Sequence, residues 1–210
     1  KGWAALGEVG YNYKTFSAMA TFRALNRMKT PMDMFARNSI GNTINYLPAL
    51  TRQYTYMLAN LNPYEVRWIG ELGGQIDLCY SYRSKDNRYR YWNFHANFSM
   101  FNSLDHYNPM AGRNTEGRNV WIDFNFDVER QWGKKLKTTF LYSFQEWNPY
   151  HGAHHRTYVS NIFVADVQYK FDRKKSLRAE AQYLLSGEYE GDWVAGLVEF
   201  NMAPRWSVFV

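Results

Sequence analysis

Three histidines stand close together in the chain, His151, His154 and His155, in a His-x-x-His-His arrangement. Imidazoles at that spacing could share a transition metal if a carboxylate joined them, and Glu146 is the nearest one. No second metal motif accompanies them. Loop histidines beside Tyr150 and Tyr158 more often hydrogen-bond or stack, so the reading is no metal and no other cofactor, with these three as the candidate ligands. A second set is charged or titratable: Asp77, His95, Asp123, Asp127, Lys137, Asp166, Lys170, Arg178, Glu180 and Glu199. Such side chains could line an aqueous channel and set its ion preference, or pair across strands in a closed interior. Nucleophilic chemistry has less support. His95 and Ser99 share a face only if the segment is a strand, and then lie about 13 Å apart along it. Neither Gly-x-Ser-x-Gly, nor a Walker-type loop, nor His-Glu-x-x-His is present, and the chain is not expected to be an enzyme.

The elements that must position these groups are read from period-two alternation. Val120, Ile122, Phe124, Phe126 and Val128 share one side of 120–129, with Asp123, Asn125, Asp127 and Glu129 on the other. The same pattern runs through 72–82, 92–101, 136–145, 177–185 and 194–202. It is less clean in 159–171, where Ile162 and Val164 fall on the polar side. Side chains alternate across a strand, so each segment has one apolar and one polar side, and the charged set falls on the polar sides. No ionised residue occupies an apolar side of these seven segments. That is what burial in hydrocarbon demands, and a tilted membrane-crossing strand needs about 9–11 residues. Helical spacing would wrap Asp123 and Asp127 onto the Val120 face.

The 210 residues carry 25 Lys+Arg against 19 Asp+Glu, with 46% hydrophobic and 19% aromatic residues, too rich in aromatics for a disordered chain. The longest apolar runs, such as Trp193–Val198, fall far short of the roughly 20 residues of a spanning helix. No block of five or six like charges exists, so no nucleic-acid partner is expected. One cysteine, Cys79, excludes an intrachain disulfide framework. Lys1-Gly2-Trp3-Ala4 is already strand-like and Ser207-Val208-Phe209-Val210 stops within a strand, so a mature segment or a fragment of a longer protein is expected.

Short connections at 131–135, 172–176 and 203–205 interleave with longer ones at 103–119 and 147–157, and an intermediate one at 187–192. An up-and-down barrel with one trimmed rim and one elaborated rim gives this rhythm. Further strands are expected near 3–13 and 15–25, a long loop over 27–52 and another strand near 53–61, for roughly ten strands plus the start of one more in a single domain, 1–210. Tyr80, Tyr82, Trp92, Trp132, Trp147, Trp193 and Trp206 read as anchors at a membrane–water interface.

Several blocks also resemble a known family: Arg52-Gln53-Tyr54-Thr55-Tyr56, Gly70-Glu71-Leu72-Gly73, the runs 164–171, 177–184 and 190–199, and Ala203-Pro204-Arg205-Trp206. Over about 52–206 the chain resembles an uncharacterised family of Bacteroidota-type outer-membrane β-barrel proteins, a domain of unknown function. The resemblance implies a barrel fold and family members longer than this chain at both ends. It implies no activity. The expectation is therefore an all-β, antiparallel, up-and-down transmembrane β-barrel, part of a larger barrel, in the bacterial outer membrane. Its function would be a porin-like channel for small solutes or, alternatively, a non-conducting accessory subunit of a larger outer-membrane complex. Its partners would be outer-membrane lipid and other outer-membrane proteins.

Overall fold

The computed structural model describes residues 2–28, 47–67, 70–87, 89–104, 106–108, 113–115, 118–149, 156–188 and 191–210. The alternating segments form β1 (Trp3–Tyr13), β2 (Phe16–Asn26), β3 (Gly70–Arg83), β4 (Tyr91–Ser103), β7 (Asn119–Gln131), β8 (Leu136–Trp147), β9 (Tyr158–Lys170), β10 (Lys175–Ser186), β11 (Trp193–Met202) and β12 (Trp206–Phe209). They make one ten-stranded sheet in which each strand pairs antiparallel with the next in that order. A small hairpin, β5 (His106–Asn108) with β6 (Arg113–Thr115), rises from the β4–β7 connection, where the sequence predicts a loop. The up-and-down order puts every short connection at one end and the long ones at the other. The sheet is open: among the described residues β1 and β12 end it and pair with nothing beyond.

Register fixes the two faces. Cys79 stands opposite His95, His95 opposite Asp127, and Asp127 opposite Leu141. Thr139 opposes Asp166, Glu180 opposes Asp166, and Arg178 opposes Glu199. One parity therefore carries the charged residues of every strand from β3 to β11. The opposite parity is apolar, and its charged members from β3 to β11 are Arg130, Glu146 and Lys175, at or next to strand ends. The Arg130 guanidinium lies over the Trp92 and Trp132 rings, 4.1 and 3.2 Å from their centroids. We call the charged side inner and the apolar side outer.

The strand expected near 53–61 does not form. Residues 47–67 pair with no strand and contain a single 3-10 turn, Leu58–Asn60. Tyr54, Tyr56 and Leu58 alternate because they pack sideways onto a wall, and that wall is the inner face of the sheet. Two apolar clusters result. Tyr56, Leu58 and Ala59 meet Leu141, Ile162, Val164 and Leu184. Tyr64 and Val66 meet Leu25, Phe101, Val120 and Trp121. In the second cluster the Tyr64 and Phe101 rings stack at 4.7 Å. Gly73 makes that possible: a Cβ there would stand 2.5 Å from the Phe101 ring and collide with the Met100 carbonyl. Trp147, expected at a membrane interface, has inner parity and packs on the second cluster; Trp193, opposite Leu184, has inner parity too.

Candidate functional site

The inner segment 47–67 brings polar side chains to the strand charges as well as apolar ones. Tyr54 donates its hydroxyl hydrogen toward both Asp123 carboxylate oxygens, each 2.8 Å away, and lies 3.0 Å from the Ser143 hydroxyl. Arg52 donates to Asn125 Oδ1 at 2.8 Å and ion-pairs with Asp127. The backbone N–H of Leu58 donates to Gln182 Oε1 at 2.9 Å, and Gln145 Nε2 donates to the Ala59 carbonyl at 2.9 Å. Tyr64 donates to Glu71, which also takes the Arg67 N–H at 2.8 Å and pairs with the buried Arg23 at 2.5 Å. Buried polar groups cost free energy unless they are hydrogen-bonded, so these contacts are what allow Asp123 and Glu71 to lie wholly inside.

The tyrosines of the segment stay protonated. Burial, then the neighbouring Asp166 and Glu180 charges, pushes the Tyr56 phenol up to about 12. Tyr54 and Tyr64 are also raised, by burial first and then by Asp123 and Glu71 respectively.

Three charge groups divide the inner face. On β3, β4 and β7, His95 stands between two carboxylates, with Nε2 2.8 Å from Asp77 Oδ2 and Nδ1 3.0 Å from Asp127 Oδ1. On β7 and β8, Lys137 pairs with Glu129 at 2.5 Å, and Tyr91 and Asn93 donate to the same carboxylate. On β9–β11, Arg178 pairs with Asp166 at 2.8 Å and Glu180 at 2.5 Å, with Glu199 at 4.0 Å. A polar recess of about 560 Å³ lies beside the inner segment, edged by Arg52, Glu129, Lys137, Asp166 and Arg178. Lys170 stands apart at the short-turn end, beside Lys134, Lys135 and Lys174.

Eight of the ten residues singled out by sequence thus fall into three paired networks on one face, and Asp123, on the same face, is held by Tyr54. His151, His154 and His155 lie outside the described residues. What sequence reasoning missed is the inner segment itself, with Arg52, Tyr54, Tyr56, Leu58 and Tyr64. The signal was present in Ile162 and Val164, apolar residues on a polar side that need apolar cover.

A family model matches residues 1–210, all of this chain. The chain belongs to the DUF6029 family, a family of unknown function. The match takes in the β1–β2 hairpin, which precedes the blocks that carry the resemblance, and the whole inner segment. No curated protein and no solved structure matches this DUF6029 chain. Its arrangement can bind, occlude or conduct: paired charges on a rigid wall, covered in part by a segment of the same chain.

Proposed function

We propose that this DUF6029 chain forms part of a bacterial outer-membrane β-barrel of the Bacteroidota type, with the outer face against lipid and segment 47–67 filling part of the lumen. One observation carries the membrane reading. From β1 to β12 the outer parity presents Val9, Phe22, Ile76, Phe98, Phe124, Phe140, Phe163 and Val198 exposed, with charge confined to strand ends. Exposed apolar area on this scale needs a partner, and a continuous band across every strand suits hydrocarbon. The short turns would face the periplasm and the long connections the exterior.

The function that fits best is a closed, non-conducting barrel serving as an accessory subunit of a larger outer-membrane assembly for secretion, assembly or uptake. The double anchoring of the inner segment, through two apolar clusters and through Asp123, Asp127, Gln145 and Gln182, supports occlusion over free passage. The porin-like reading keeps one specific support, the charged recess beside that segment. Planar-bilayer conductance of the full-length protein separates the two. A silent wild type, with channels appearing when 53–61 is replaced by a Gly-Ser stretch, supports the closed barrel. Stepwise openings from the wild type support the channel.

A further inference from the structure

Asp77, Cys79 and His95 offer an oxygen, a sulfur and a nitrogen whose atoms all lie within 4.8 Å of one another. Cys79 and His95 face each other across the β3–β4 register, and Asp77 follows on the same side of β3. The Cys79 thiol donates to Asp77 Oδ1 at 3.5 Å, and His95 Nε2 lies 2.8 Å from Asp77 Oδ2. Asp127 holds the other ring nitrogen at 3.0 Å, which is how a carboxylate orients a metal-bound imidazole. Charge points the same way. Asp127 is matched by Arg52, whereas among the described residues Asp77 has His95 and no lysine or arginine partner. Asn97, buried, donates through Nδ2 to Asp77 at 2.9 Å, and its Oδ1 has no partner among the described residues. Turning that amide would present a fourth, oxygen donor.

We propose that Asp77, Cys79 and His95 form a binding site for a borderline-to-soft divalent metal ion of the zinc or cobalt class. Mixed O, N and S donors select against magnesium and calcium, which take oxygen alone. On binding, Cys79 coordinates as the thiolate and its proton leaves to solvent. The strands supply a stiff frame, so ligand atoms need only spread slightly from their hydrogen-bonded distances. The site does not depend on what lies against the outer face.

Titration of the purified full chain with Co²⁺ tests this. One ion per chain, with a thiolate-to-cobalt charge-transfer band and loss of maleimide labelling at Cys79, is the expected result. Cys79→Ser should abolish the band, and His95→Gln and Asp77→Asn should each weaken binding at least ~10-fold. Asp127→Asn, which removes the carboxylate behind the imidazole, should weaken it roughly 10–100-fold. The triple variant His151→Ala, His154→Ala, His155→Ala should bind as wild type. An unchanged far-ultraviolet circular dichroism spectrum and denaturation midpoint show that each variant folds. A folded wild type without the band overturns the proposal, as does a band that survives in folded His95→Gln or is lost in the triple histidine variant.

Discussion

On the outer face Phe140 is 57% exposed and Phe163 46%, while on the inner face of β8 and the adjacent β7 Ser143, Asn125 and Asp123 are fully buried. Water-soluble proteins show the opposite order. The inversion has two separate causes. Inner polar groups are buried because a segment of the same chain covers them and meets their hydrogen bonds. Outer rings are exposed because no part of the described chain covers them. Burial here follows what the chain folds back upon, and polarity follows which medium each face is built for.

Ile162→Ala should cost the most, about 2–5 kcal/mol, because Leu58 and Tyr56 pack on it and a cavity would remain. Phe163→Ala, the next residue on the outer face, should cost far less in detergent. Chemical denaturation of both variants checks the contrast. Phe140→Arg should cost roughly 2–4 kcal/mol in a bilayer, and its inner neighbour Thr139→Arg only a small fraction of that, since Thr139 edges the polar recess. Equal penalties, measured by folding into vesicles, would erase the distinction between the faces. Tyr54→Phe should cost about 1.5–3 kcal/mol by removing the hydroxyl that donates to the buried Asp123. Limited proteolysis should show 47–67 cut sooner in that variant.

Tyr56 gives the smallest and most specific effect. Burial raises its phenol to about 12, above the ordinary 10.0. The stabilisation is therefore fully present below pH 10 and is lost as pH rises toward 12. Tyr56→Phe should flatten that part of the stability profile and leave the neutral range little changed.

Period-two alternation locates seven of the ten sheet strands, β3, β4 and β7 to β11, because a strand between two media writes both media into its sequence. Segment 53–61 carried the same alternation without being a strand. Tyr54, Tyr56 and Leu58 meet one wall through side-chain packing, and sequence periodicity does not say whether backbone pairing accompanies it. Ile162 and Val164 marked where that wall must be covered, but not by which residues, since the cover lies about a hundred positions away in the chain. The His95 cluster was legible only as parity: Asp77, His95 and Asp127 were assigned to polar sides, and register alone brings Cys79 opposite His95. The barrel reading makes this chain part of a larger barrel, and among the described residues its ten strands form an open sheet.

The central claim is that lipid covers the outer face. Photolabelling from a hydrocarbon-soluble reagent in reconstituted vesicles tests it at single positions. The account predicts strong labelling at Phe98, Phe124 and Phe140 and none at Asn97, Asn125 or Ser143. Unlabelled rings at all three outer positions, in protein that remains soluble without detergent, would contradict it.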